Sequence, residues 1–114
     1  MLTANDNVSS LIDTNHPAFC RFLEIAQALV DRDRNSGRPA CLARDVLTAE
    51  VGRRYIRIVC ASTPSSRSAW AFVDRTNGDI LKPDGWKRPA KHARGNILSG
   101  DVQGVSGYGP AYIG

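Results

Sequence analysis

Aromatic residues are scarce in this chain of 114 residues: Phe, Trp and Tyr make up 7% of it, so the place of each one matters. Cysteine is scarcer and badly spaced for chemistry. Cys20, Cys41 and Cys60 are odd in number and far apart, whereas a disulfide framework wants an even set and a zinc site wants close pairs. The expectation is that each packs as a small apolar side chain in a reducing compartment. Two histidines, His16 and His92, are too few and too separated to suggest a ligand set. No apolar run approaches the roughly 20 residues of a membrane span. The opening stretch lacks the basic and apolar regions of a secretory leader. These absences predict a cytoplasmic protein with no membrane partner.

Catalytic signals are missing too. No Ser/His/Asp or Cys/His constellation stands out, and general acid–base work by His92 would need a partner that the pattern does not supply. Asp74 and Asp79 flank a turn, where hydrogen bonds to its backbone N–H groups are the expected role. The chain is read as a non-enzyme, with no metal and no cofactor.

What is present is charge, concentrated in one place. Five cations (Lys82, Lys87, Arg88, Lys91 and Arg94) and one acid (Asp84) fall between positions 82 and 94. Their balance equals the +4 of the whole protein, so the remainder cancels. Interleaved with them are Pro83, Gly85, Trp86, Pro89 and Gly95. Cations can meet phosphates, an indole can stack on a base, and glycines allow close backbone approach. Lys82, Trp86, Lys87, Arg88, Lys91 and Arg94 are therefore the candidate nucleic-acid-binding residues. Lys87, Lys91 and Arg94 would share one helical face if Ala90 to Gly95 formed a turn of helix. Arg94, Gly95 and Asn96 match no common phosphate loop but could form a small backbone nest for a nucleotide-like anion. The competing reading of Trp86 is a plug over the sheet, with the cations merely solvated beside it.

The rest of the chain fixes a fold class. A loose arm is expected over residues 1–14, with a short helical turn from Ser9 to Asp13. A single α+β domain should occupy 15–98, followed by a glycine-rich tail over 99–114 that is either loose or docked. Asn15 or His16 can cap a helix that starts at Pro17, and Gly37 and Pro39 should end it near Asn35. Phe19, Phe22, Leu23, Ala26, Leu29 and Val30 recur at helical spacing and mark its buried face. Cys41 to Val51 reads as a short helical turn and then a strand from about Val46. Arg54 to Ala61 alternates as a strand with Ile56, Ile58 and Cys60 on one side and Tyr55, Arg57 and Val59 on the other. The Ser62 to Ser68 link should be polar and exposed.

Ala69 to Asp74 forms the next strand, and Ile80 and Leu81 return from the turn. A four-residue loop, Arg75 to Gly78, pairs Val73 with Ile80 and Phe72 with Leu81, matching apolar to apolar; a two-residue turn would not. On that register Ala71, Val73 and Ile80 face one side, and Trp70, Phe72 and Leu81 the other. One helix can cover only one such face, so the second needs the basic segment and tail, or another chain. Ala111 to Ile113 could add an edge strand. The architecture expected is one N-terminal amphipathic helix on an antiparallel sheet of three or four strands, with an irregular basic C-terminal segment.

The stretch FVDRTNGDILKPDGWKRPAKHARGNIL resembles a pattern in small uncharacterised proteins encoded by bacteriophages and viromes. The matching residues run from Phe72, Val73 and Asp74 through Gly78, Asp79, Ile80 and Lys82. They continue with Trp86, Lys87, Pro89, Ala90 and Lys91, then Arg94 to Ile97, and Tyr108 to Tyr112 is also similar. The likeness covers about the last sixty residues and leaves the helix outside. It implies a viral or prophage origin, hence a bacterial host cytoplasm, and no mechanism. The function expected is a small accessory protein that binds nucleic acid. The alternative is a protein-interaction module, which could be a homodimer, that modulates a host protein such as a defence enzyme or polymerase.

Overall fold

The computed structural model of the protein describes residues 11–39 and 41–110. Helix α1 (Pro17–Val30) begins as the sequence predicts. Pro17 sits in the first turn, and His16 Nδ1 accepts from the Ala18 N–H at 3.1 Å. Phe19, Phe22, Ala26 and Val30 are buried, while Leu23 and Leu29 are half-buried at the margins of the stripe. The helix continues without a break into a wider π-turn (Asp31–Asn35). At ordinary helical spacing Asn35 would lie well off the Val30 stripe; the wider turn brings it inward. There its amide donates to Asp31 Oδ1 (2.8 Å) and the Asp45 carbonyl (3.0 Å) and accepts from the Asp45 N–H (2.8 Å). Arg34 and Arg38 pair with the buried Asp45 carboxylate, so the helix end and the approach to the sheet are locked together. Gly37 follows with φ 79°, the left-handed conformation expected of it.

Five antiparallel strands follow in sequential order: β1 (Val46–Val51), β2 (Tyr55–Ala61), β3 (Ser68–Asp74), β4 (Asp79–Pro83) and β5 (Pro89–Asn96). Strand β1 starts where expected, but the residues before it form a turn rather than a helix, with Leu42 N–H donating to the Pro39 carbonyl. The β3–β4 register is the apolar one, Val73 opposite Ile80 and Phe72 opposite Leu81. Gly78 N–H closes the loop on the Asp74 carbonyl at 2.8 Å. Asp74 accepts from the Thr76 N–H, as predicted; Asp79 instead accepts from the Asn96 amide.

Three expectations need correction. The segment read as irregular is the fifth strand, so Lys87, Lys91 and Arg94 are not aligned on a helix. It pairs with β4 despite its prolines because it is an edge strand, with Pro89 at its first residue and register shifts absorbing the mismatch. Trp70 does not share a face with Phe72. A β-bulge opposite Ile58 and Val59 makes Trp70 the extra residue, and its indole joins the core beside Phe22, ring centroids 6.4 Å apart. Of the cysteines only Cys60 is buried, where desolvation pushes its thiol up from the ordinary value; Cys20 and Cys41 are exposed.

The described part of the tail is docked. A two-stranded hairpin, β6 (Val105–Ser106) with β7 (Gly109–Pro110), lies against the helix and the β3–β4 part of the sheet. Gly107 is its anchor: its carbonyl accepts from the buried Trp70 indole (3.0 Å) and its N–H donates to Asp33 Oδ2 (2.8 Å). A Cβ at Gly107 would stand 2.5 Å from the Leu29 carbonyl oxygen, so the close approach requires glycine. At the other end Ile12 is a core residue, exchanging hydrogen bonds with Arg75. The remaining arm (1–10) and Ala111 to Ile113 lie outside the described residues.

Candidate functional site

The helix and the hairpin pack on one side of the sheet, and the β4–β5 loop lies over the other. Alternation along β2 turns Tyr55, Arg57 and Val59 outward, and β3 and β4 add Phe72 and Leu81. Val59, Phe72 and Leu81 are nevertheless buried. Tyr55 meets Phe72 edge to face with centroids 6.3 Å apart, and Arg54 lies 5.2 Å from the Tyr55 ring.

The loop joining β4 and β5 reaches back over this face to β2. Asp84 N–H donates to the Arg88 carbonyl at 2.9 Å, and Gly85 takes φ 105°, which lets the chain fold back on itself. Arg57 then donates to the Trp86 carbonyl at 3.1 Å, with its guanidinium carbon 4.1 Å from the centre of the indole ring. Arg67, from the link before β3, lies 5.1 Å from the same centre. Both arginines also grip one carboxylate: Arg57 donates to Glu50 Oε1 (2.6 and 3.1 Å) and Arg67 to Oε2. The Arg57 hydrogen bonds draw the Glu50 carboxyl below its ordinary range, with Arg67 adding to the effect against desolvation. Trp86 is thus held by two cations and remains 36% exposed. It is neither a buried plug nor a free side chain.

Three grooves flank this arrangement. One of about 480 Å³ lies where β3 begins and β4 ends, rimmed by Trp86 and Tyr108, with Arg67 and Lys82 among its lining. A second, of about 220 Å³, is lined by Tyr55, Arg57, Phe72 and Lys87. A third, of about 490 Å³, takes in Arg54, Leu81, Arg88 and Lys91, together with Asp74 and Asp79. Five of the six predicted nucleic-acid contacts therefore line these three grooves, the first of which runs from Trp86 to the docked tail. Arg88 also forms a long ion pair with Asp84, 3.8 Å, both side chains mostly in solvent.

Arg94 stands apart. It is the extra residue where the β4–β5 register shifts, and its guanidinium turns back to the His92 carbonyl. Its neighbours serve the fold. Gly95 packs against the Asp101 carbonyl, whose oxygen also accepts the Asn96 N–H. The Asn96 amide donates to the Asn77 carbonyl and Asp79, and accepts from Leu98 and Ser99 N–H groups. The structure thus gives Arg94, Gly95 and Asn96 internal partners rather than gathering them around an open nest.

The sequence pattern does not single out Arg54, Arg67 or Tyr108. Arg57 carries a signal, since alternation turns it outward between Tyr55 and Val59. Arg67 lies in a polar link and Tyr108 in a glycine-rich tail, and neither position has a periodicity that would place it. Among the described residues, no group of three or more His, Cys, Asp or Glu side chains is arranged to hold a metal. None of their helices is long and apolar enough to cross a membrane.

The fold and this face define a small α+β protein whose sheet carries its helix on one side and a cationic, aromatic surface on the other. The chain belongs to a family of unknown function, DUF7717, whose model matches residues 3–105. That match takes in the helix, which the likeness over the last sixty residues leaves outside. No curated protein and no solved structure matches the chain.

Proposed function

We propose that this is a small phage-type accessory protein that binds nucleic acid on the outer face of its sheet, without catalysis. One observation carries the reading: an exposed tryptophan held in place by two arginines, at the rim of a groove with further cations nearby. Free lysines on a surface serve solubility, but a pinned, exposed indole among cations suits stacking on a base whose phosphates the cations neutralise. The carboxyl groups of Asp33, Glu50 and Asp74 are shifted by bonds that build the fold, which fits binding better than acid–base chemistry. The phage assignment rests on the sequence resemblance alone.

The test is titration of labelled oligonucleotides at several salt concentrations. Affinity should fall with a log–log slope of about −3 to −4, as for four or five phosphates neutralised. Lys87→Ala with Lys91→Ala should flatten that slope. If no oligonucleotide binds at low salt, where attraction is strongest, the proposal fails.

A second reading is favoured by a different observation. Edge strand β1 exposes Val46 and Val51, and Leu42 is exposed just before it. An edge of this kind can pair with another chain, as in a protein-interaction module or a homodimer. Light scattering across a range of protein concentrations tests the homodimer form of that alternative.

A further inference from the structure

We infer that the groove lined by Trp86 and Tyr108 is a subsite for an unpaired nucleotide, so that the protein selects single strands over duplex. The inference rests on the nucleic-acid reading and adds a residue, Tyr108, and a substrate class to it. Both aromatic side chains are exposed, Trp86 to 36% and Tyr108 to 71%, yet neither is loose. Trp86 is tethered through its carbonyl and ring by Arg57, with Arg67 on the ring as well. Tyr108 is tethered at its far end, where the hydroxyl donates to the Asp33 carbonyl at 2.9 Å. Two exposed, tethered rings lining one groove are pre-organised for stacking, because little side-chain freedom is left to lose on binding.

Charge and size agree. Arg67 and Lys82 contribute positive charge to the lining, which among the described residues contains no Asp or Glu. The volume of about 480 Å³ lies in the range of small-ligand sites. The apolar part of the wall, which includes Pro83 and Pro110, offers nothing to a phosphate backbone and suits the flat surface of a base. A duplex keeps its bases stacked inside and presents mainly phosphates and groove edges, so it would reach the cations and leave the aromatic rims unused.

The experiment compares three probes of equal length on the full chain: oligodeoxythymidine, the same backbone with abasic sugars, and a duplex. Oligodeoxythymidine should bind about tenfold more tightly than the abasic strand, because the phosphates are the same and only stacking differs. Tyr108→Ala and Trp86→Ala should each cost about tenfold on oligodeoxythymidine and leave the abasic strand nearly unchanged. Tyr108→Phe, which keeps the ring and loses the tether, should fall between wild type and Tyr108→Ala. Equal affinity for the thymidine and abasic strands in the wild type would overturn the subsite while leaving phosphate-driven binding intact, and that comparison needs no variant to fold. Failure of all three probes to bind at low salt would remove both the subsite and the reading beneath it.

Discussion

Gly78 takes φ 83°, and a Cβ built there would lie 2.8 Å from Leu98 Cγ. Both the backbone conformation and the space behind it therefore call for glycine. Asn77, beside it, contributes a single exposed bond from its side chain, accepting from the Asp79 N–H at 2.9 Å. Gly78→Ala should cost about 1–3 kcal/mol and exceed Asn77→Ala, with urea unfolding of both variants as the measurement. The reverse order would mean that the loop tolerates a side chain at its left-handed position. Asp74 shows a different constraint on the same loop. Burial pushes its carboxyl up, but the Thr76 hydroxyl and N–H and the Arg54 guanidinium together bring it below the ordinary value. Its charge is used to build the turn.

Between elements, Glu50 is the decisive contact on the outer face. It reaches from β1 to Arg57 on β2 and to Arg67 on the link before β3, and both of those arginines lie on the Trp86 ring. The carboxylate thus occupies the guanidinium groups that the proposed function would offer to a phosphate. Glu50→Gln removes its negative charge while keeping an acceptor for Arg57. Nucleic-acid affinity should then rise several-fold and the salt slope should steepen by about one phosphate. Unchanged or weaker binding, with the fold intact by circular dichroism, would show that Glu50 positions the arginines rather than competing for them.

For the molecule as a whole, closure of the core depends on a contact between distant parts of the chain. Asp33, on the π-turn, accepts the Gly107 N–H, and Gly107 in turn accepts the Trp70 indole proton. The Arg32 hydrogen bond, then the bond from Gly107, hold the Asp33 carboxyl at about 2 against an ordinary value of 3.8. A carboxyl lowered on folding stabilises the folded state above its unfolded value and loses that contribution as the pH drops through its folded one. Docking of the tail should therefore be intact above pH 3.8 and weaken as the pH falls to about 2. The Gly107 amide resonance reports it directly: a transition with a midpoint near 2 in the wild type, absent in Asp33→Asn. A midpoint near 3.8 would show that neither the Arg32 nor the Gly107 hydrogen bond holds the carboxylate.

Much of this architecture is legible in local chemistry. Pro17, the stripe from Phe19 to Val30 and Gly37 mark the helix, because helical periodicity and end signals act over a few residues. Matching apolar residues across Arg75 to Gly78 selects the hairpin register, since a slip would place apolar groups opposite polar ones. The cluster from Lys82 to Lys91 is visible as charge. Its conformation is not, because strand pairing of Pro89 to Asn96 is a property of β4 as its neighbour. Nor is the bulge at Trp70, where one extra residue turns an indole from the outer face into the core. Interactions between near neighbours along the chain thus suffice to specify the helix and the hairpin, and composition alone marks the cationic cluster. The meeting of Arg57 and Arg67 with Trp86, and the placing of Tyr108 on the same groove, depend on the folded whole. Those contacts join residues about 20 to 30 positions apart, and no local periodicity specifies a contact whose partners are brought together by folding.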